Sequence, residues 1–317
     1  MQIFKRDTLE THCKGSIWPE FLGFVDIEES FIIETAEVGP TGPIEIRDIS
    51  KGDAISIYIE KIIMEPPFYA PNGGPFYLGC GDRIPLEYKD GSFYWPSRFR
   101  LKAQPSVGNI AVLPEFTEEI EELCKHQIHG HTPFDKDPRG WRRVVRDTRG
   151  KHCHQDCSFL QEGSIIHMKV NVDGAGVCAD DIHGYISEGE LAFAGIEVRG
   201  SVQLKVQRCT EWHVDWPLIE TADELMVVCT YTATMVRQPK ISYVDLVKMA
   251  YKSMREIVSK KANCTIEEAN SIVATACGIR NCAIYGLEGY IAGFRDSPQF
   301  PQEISIVGCL PKSIFNQ

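Results

Sequence analysis

Lys51-Gly-Asp-Ala-Ile-Ser-Ile-Tyr-Ile-Glu-Lys-Ile62 decides the fold class. Lys51-Gly52-Asp53 is a tight-turn sequence, and Ile55, Ile57 and Ile59 alternate with Ser56 and Tyr58. Successive side chains of an extended chain point to opposite faces, so this alternation predicts a half-buried strand. Upstream, Phe31-Ile-Ile-Glu-Thr35 is another short β-type run, and the turn formers of Val38-Gly-Pro-Thr-Gly-Pro43 follow it. Downstream, the prolines and glycines between Glu65 and Tyr88 predict a stretch that is mostly loop.

A second β block runs from Ser164-Ile-Ile-His-Met-Lys-Val-Asn-Val172 to about Val206. Glu162-Gly163-Ser164 introduces it much as Lys51-Gly52-Asp53 introduces the first. Between the two blocks lie a short helical candidate, Thr117–Lys125, then Pro133, Pro138 and an arginine-rich run from Arg139 to Arg149. That segment reads as an excursion from the β scaffold, and the arginines as a solvated face.

The last third is helical. Ser242 with Asp245 caps a helix whose apolar face is Val244, Val247, Tyr251, Met254 and Val258. Thr265-Ile-Glu-Glu268 is a capping box for a second helix, with Ile266, Ala269, Ile272, Val273 and Ala276 inward. Helices after runs of strands indicate α+β rather than alternating βαβ. The expectation is a β-rich α+β protein, with two β-sandwich or barrel-like parts and a C-terminal α/β helical segment. Its divisions fall at 1–113, 114–150, 151–240 and 241–317, the third carrying the chemistry described next.

Hydrophobic residues make up 43% and charged residues 24%, a globular composition. Lys and Arg number 33 against 44 Asp and Glu, and the net charge of −11 argues against a nucleic-acid partner. No apolar run approaches the roughly 18 residues of a membrane span, so no membrane partner is expected. Residues 1–15 carry Lys5, Arg6, Asp7, Glu10 and Lys14 without an apolar run, and the expected location is the cytoplasm. Most of the 12 cysteines are then expected to be reduced and buried as small apolar groups. Neither Gly-x-Gly-x-x-Gly nor a phosphate loop occurs, so no nucleotide cofactor is expected.

Two clusters can carry chemistry. In Lys151-His-Cys-His-Gln-Asp-Cys157, extended geometry puts His152, His154 and Asp156 on one side, with Cys153, Gln155 and Cys157 on the other. Two imidazoles and a carboxylate so placed suit a Zn²⁺-type ion; the plainer alternative is a polar loop over packed thiols. In Ala179-Asp-Asp-Ile-His-Gly-Tyr-Ile-Ser-Glu-Gly-Glu190, Asp181 and His183 stand two apart, and Glu188 and Glu190 repeat that spacing past Gly184. A histidine beside carboxylates suits a metal or catalytic site; a solvated acidic loop is the alternative. A third set, Cys124, His126, His129 and His131, lacks paired Cys-x-x-Cys and reads as a surface loop. No Gly-x-Ser-x-Gly nucleophile elbow is present.

Six segments in order resemble the acetamidase/formamidase family of metal-associated amide hydrolases. They are Gly39–Ile44 with Ile49–Ile62, Pro105–Pro114, Lys151–Ser164, Ala179–Glu190, Ala192–Glu197, and Thr265–Arg280. The resemblance implies a β-rich body, a homodimer or higher homo-oligomer in the cytosol, and hydrolysis of a small linear amide to ammonia and a carboxylic acid. It also implies a bound divalent metal, zinc by preference. Position by position, Asp156, Asp181, His183, Glu190 and Glu197 match the polar positions of the family. Spacing and resemblance together make His154, Asp156, Asp181 and His183 the metal ligands, with His152 beside them. Glu190 is then the acid/base, and Glu197 and Glu188 are the alternatives. Where the family has two glycines and an asparagine, this chain has His152, Cys153 and His154. Histidine for asparagine strengthens a donor, whereas the glycine replacements narrow a pocket meant for formamide or acetamide. Two rivals remain: a binding protein without turnover on the same scaffold, and an amidase that uses Cys153 or Cys157 as nucleophile.

Overall fold

The computed structural model describes residues 1–6, 20–36, 41–72, 83–118, 155–191, 194–212, 215–232, 242–284 and 303–315. The first strands are β1 (Gln2–Phe4), β2 (Phe24–Val25), β3 (Ser30–Thr35), β4 (Thr41–Ile46) and β5 (Ala54–Glu65). Then come β6 (Phe68–Ala70), β7 (Ile84–Lys89), β8 (Ser92–Tyr94), β9 (Arg100–Lys102) and β10 (Ser106–Ala111). Beyond the 114–150 segment lie β11 (Ile165–Lys169), β12 (Ala175–His183), β13 (Glu197–Arg208), β14 (Leu218–Glu220) and β15 (Glu224–Thr232). Helices α1 (Tyr243–Lys261) and α2 (Ile266–Ala276) precede β16 (Gly278–Ala283) and β17 (Glu303–Pro311).

The fold is α+β and β-rich. A large mixed sheet runs β16-β17-β15-β14-β11-β5-β13-β12-β4-β2, and a small sheet runs β6-β7-β8-β9. Among the described residues neither sheet closes into a barrel. Strands from the two sides of the 114–150 segment pair with each other: β5 with β11 and β13, and β10 with β12. No helix among the described residues is long and apolar enough to cross a membrane.

The opening run is the spine of the large sheet. Ile55, Ile57 and Ile59 are buried, as the alternation predicts, but the next buried residue is Ile62 rather than residue 61. The ladder with β13 explains the slip. Gln203 faces Lys61 and Leu204 faces Ile59, so Glu60 is an extra residue in β5. A bulge of this kind resets which face the following side chains occupy. On the other side of the sheet, β13 changes neighbours: its first residues, Glu197 and Val198, pair with β12, and from Gly200 onward it pairs with β3. Gly200 permits the close approach, because a Cβ there would lie 2.1 Å from the Ile63 carbonyl oxygen. Gly200→Ala is expected to destabilise the protein by about 1–3 kcal/mol, read as a lower urea midpoint.

Inside the 65–88 stretch, expected to be mostly loop, lie β6 and most of β7, while residues 73–82 of it lie outside the described residues. These strands are short and proline-flanked, and tertiary pairing makes them: Phe68 faces Leu86, and Phe68, Tyr88 and Phe93 pack with ring centroids 5.1–5.5 Å apart. Both C-terminal capping boxes form as predicted, at Ser242/Asp245 and Thr265/Glu268. The apolar face of α1 is rotated from expectation. Leu246, Ala250, Met254, Ile257 and Val258 are buried, whereas Val244 is 58% exposed. Two apolar stripes overlap in this helix. Packing selects the one that sets Ala250 over β17, where a Cβ on Gly308 would lie 3.2 Å from the Ala250 Cβ.

A polar row crosses the sheet at the start of β5. Ser56 Oγ and His167 Nδ1 are 2.8 Å apart, and His167 Nε2 is 3.0 Å from Glu220 Oε2. Lys312 Nζ donates to Glu220 Oε1 at 2.6 Å. The His167 and Lys312 hydrogen bonds hold the Glu220 carboxyl down at about 2, below its ordinary 4.5. Burial opposes the charged form of His167, but Cys209 and Glu220 raise it above 6.5. The depressed carboxyl contributes stability that is complete above 4.5 and lost as pH falls toward 2. The raised imidazole contributes below 6.5 and loses its share as pH rises through its folded value. Glu220→Gln should therefore lower the urea midpoint most between 4.5 and 6.5, with the difference shrinking at about pH 2.5.

Candidate active site

The site is built on β12, whose nine residues are all buried between β10, β4 and β13. Its last residue, His183, lies opposite Glu197 at the start of β13. His183 Nε2 is 3.1 Å from Glu197 Oε1, and the same oxygen accepts from the Gly195 N–H at 2.9 Å. Next to Asp181, Asp180 accepts a hydrogen bond from Asn109 Nδ2.

Asp156 reaches the same place from the chain that follows the 114–150 excursion. The N–H groups of Gln155 and Asp156 both donate to the Gly108 carbonyl, at 3.0 and 2.9 Å. The Gln155 amide bonds in both directions with the Ile110 backbone, 2.9 Å each way, and Ser305 Oγ donates to the Gln155 carbonyl at 2.8 Å. Glu190 arrives on a turn stapled to the end of β16. Gly189 N–H donates to the Asn281 carbonyl at 2.8 Å, and Ile284 N–H donates to the Gly189 carbonyl at 3.1 Å. Tyr243 of α1 holds Asn281 in turn, its hydroxyl donating to Oδ1 at 2.9 Å.

These paths converge on one imidazole. Ligand-type atoms of Asp156, His183 and Glu190 lie within 4.8 Å of one another, as do those of Asp181, His183 and Glu197. Asp156, Asp181, His183 and Glu190 are each at most 5% exposed. Asp156, Asp181 and Glu190 also adopt left-handed backbone, with φ of 44°, 65° and 45°. Non-glycine residues avoid that region, at roughly 1–3 kcal/mol each, and such strain collects at functional sites.

Burial disfavours the charged form of His183, yet Glu197, then Asp181 and Asp156, outweigh it and push the ring up to about 9. Burial likewise raises the Glu197 carboxyl; Asp181 beside it adds to that rise, against the pull of His183. Four acids around one histidine leave an excess of negative charge in a buried place, a cost that a cation relieves. His183 Nδ1 is buried with no hydrogen-bond partner among the described residues. An imidazole nitrogen with carboxylate oxygens around it is a donor set for a divalent ion of the zinc type. The cluster can therefore hold a metal ion.

Two glycines frame the ring. A Cβ on Gly108 would lie 2.7 Å from His183 Cε1, and one on Gly195 would lie 2.8 Å from His183 Cδ2. Neither was among the expected site residues. The available signal was Gly108 itself, a glycine inside the otherwise β-type run Ser106–Ala111, where it marks close approach of another group.

Of the residues named from sequence, Asp156, Asp181, His183, Glu190 and Glu197 are brought together. Glu188 is exposed and belongs to neither group. Cys157 lies in the hydrophobic core. His152, Cys153 and His154, and the set Cys124, His126, His129 and His131, lie outside the described residues.

Residues 131–223 match the sequence model of the Acetamidase/Formamidase family, and all five converging residues fall inside that span. No curated protein sequence matches the chain. Among solved structures, a recombinant predicted acetamidase/formamidase from the thermophile Thermoanaerobacter tengcongensis has a TM-score of 0.71 at 17% identity, covering 99% of this chain and 97% of its own. An acetamidase from Bacillus halodurans has a TM-score of 0.69 at 17% identity, covering 94% and 93%. A gamma lactamase from Delftia acidovorans has a TM-score of 0.54 at 16% identity, covering 100% and 94%. At these identities the structures establish a common fold. Residues 131–223, less than a third of the chain, supply every acid and the histidine of the cluster, and it is over these residues that the chain is similar in sequence to the acetamidase/formamidase family.

Proposed function

We propose that the protein is a divalent-metal-dependent hydrolase of a small linear amide, releasing ammonia and a carboxylic acid. The observation that carries this reading is the convergence of Asp156, Asp181, His183, Glu190 and Glu197 within the segment that matches the family. Asp156, Asp181 and His183 would hold the ion, with His154 as a further donor and zinc as the expected metal. When bound, such a cation supplies Lewis acidity, which makes water a stronger acid and an amide carbonyl a better electrophile.

The chain's own groups do the rest. Glu197 accepts from His183 Nε2 at 3.1 Å, which fixes the ring's tautomer and leaves Nδ1 as the donor atom. Glu190, within 4.8 Å of both His183 and Asp156, takes a proton from the attacking water and returns it to the departing nitrogen. Burial of these groups keeps bulk water away and strengthens each electrostatic contact. The same reading carries a cytoplasmic location and a homodimer or higher homo-oligomer.

The test uses protein purified without a histidine tag, with metal content and ammonia release measured on one sample. The panel holds formamide, acetamide, longer linear amides and a lactam, each with and without chelator. Near-stoichiometric divalent metal and chelator-sensitive ammonia release are expected, with longer amides preferred. Full turnover by metal-free protein would overturn the metal assignment. Stoichiometric metal without turnover on any amide would overturn the catalytic one.

A further inference from the structure

A second cluster lies at the opposite end of β13 from Glu197. The strand is 12 residues long, so the two ends are separated by about 40 Å at ~3.3 Å per residue. Cys209 follows β13 directly, and its sulfur sits 3.7 Å from His167 Nδ1. His167 lies directly opposite Ser56 in the β5–β11 ladder, and its other nitrogen is held by Glu220. With Nε2–H donated to that carboxylate, Nδ1 is the basic nitrogen, and it faces both a hydroxyl and a thiol. A nucleophile, a base and an acid that orients the base stand here in the order that activates nucleophiles.

A separate observation points to something this cluster receives. Trp212 is 5% exposed, its ring lies 6.2 Å from the His167 ring, and its carbonyl accepts from Cys209 Sγ at 3.5 Å. Its indole N–H is buried without an acceptor among the described residues. Such a donor is normally satisfied, and it lies in the same apolar cluster as Cys209, where an incoming acceptor would relieve it. Cys209 is buried, 9% exposed, and a cleft lies one backbone hydrogen bond away from it. The Cys209 N–H donates to the Ala54 carbonyl at 2.8 Å, and Ala54 lines a cleft of about 250 Å³ with Trp216 and Lys169. Three other thiols differ from Cys209. Burial holds Cys277, Cys282 and Cys309 above the ordinary thiol value, whereas at Cys209 the His167 and Ser56 hydrogen bonds outweigh burial and lower it.

We propose that Cys209 is a reactive thiol, with His167 as its base and Glu220 orienting that base, and that it is a modification site for small hydroperoxides. The sulfur attacks one peroxide oxygen, the S–O bond forms and the O–O bond breaks. The thiol proton, taken by His167, passes to the departing alkoxide or hydroxide, so that thiol and hydroperoxide become sulfenic acid and alcohol or water. Sulfur is oxidised and the peroxide reduced. The new S–OH group lies beside the Trp212 carbonyl, and Nδ1, once it carries the proton, donates to Ser56 Oγ.

The experiment treats the full-length protein with hydrogen peroxide at neutral pH, traps sulfenic acid with dimedone, and follows each cysteine by mass spectrometry. Cys209 is expected to be labelled first, ahead of the partly exposed Cys264 and Cys277, and His167→Gln should slow its labelling roughly 10²-fold. Labelling of Cys209 no faster than that of Cys264 would overturn the proposal, as would an unchanged rate in His167→Gln. Should that variant fail to fold, iodoacetamide competition among the thiols of the unmodified protein decides the same point by the same ranking. Cys209→Ser should abolish the early label and leave amide hydrolysis unchanged, so this outcome is separable from the fate of the amidase reading.

Discussion

His183→Ala is expected to lower kcat/KM for the best amide by at least ~10³-fold, about 4 kcal/mol of barrier, and to remove bound metal. His183 is the one residue shared by both donor groups, so its loss dismantles both together. It is also the sole cation partner that Glu197 is shown to have, and that carboxyl is buried beside Asp181. Without the ring the two acids face each other uncompensated. The variant should therefore also lose thermal stability, because removing one partner of a buried pair leaves the other exposed to its full desolvation cost. Metal content, kcat/KM and Tm measured on one preparation check all three effects. Retained metal at the unmodified level, with activity reduced less than tenfold, would show that the convergence is structural rather than catalytic.

The second large effect belongs to a residue with no side chain. Gly108→Ala is expected to cost ~10²-fold in activity and about 1–3 kcal/mol in stability. The added methyl would stand 2.7 Å from His183 Cε1 and 2.8 Å from the Asp181 carbonyl oxygen. The second contact is backbone, held in β12 by neighbours on both sides, so it cannot swing away. The first can be relieved only by moving the imidazole that the site shares. Gly108 O also anchors the N–H groups of Gln155 and Asp156, so a displaced β10 would carry Asp156 with it. The discriminating measurement is the ratio of effects. A drop in Tm with full specific activity per folded molecule would assign Gly108 to packing alone, whereas loss of metal and kcat in protein that still unfolds cooperatively supports the clamp.

Some of the site is local in origin and could be read directly. Asp181 and His183 stand two apart on one strand, and the β alternation that predicts the strand also predicts their shared direction. Glu197 enters through the family resemblance and proves to be the residue opposite His183 across the β12–β13 ladder. Glu188, chosen by the same two-residue spacing as Glu190, ends up exposed, because a turn rather than a strand carries the pair. Spacing predicts direction only where the backbone stays extended.

Local sequence by itself determined the strands with isoleucine alternation, both capped helices, the α+β class and the acids and histidine worth watching. Each follows from forces between residues a few positions apart: steric alternation, capping hydrogen bonds and turn propensity. Tertiary structure alone decided that Asp156 and Glu190 meet His183 in left-handed conformations, since that strain is sustained by hydrogen bonds to Gly108, Asn281 and Ile284 from distant strands. It also decided which of two overlapping stripes on α1 faces inward, that β6 and β7 exist, and that a glycine on β10 shapes the site. These depend on which surfaces are brought into contact, and contact between segments far apart in the chain leaves no period in either one.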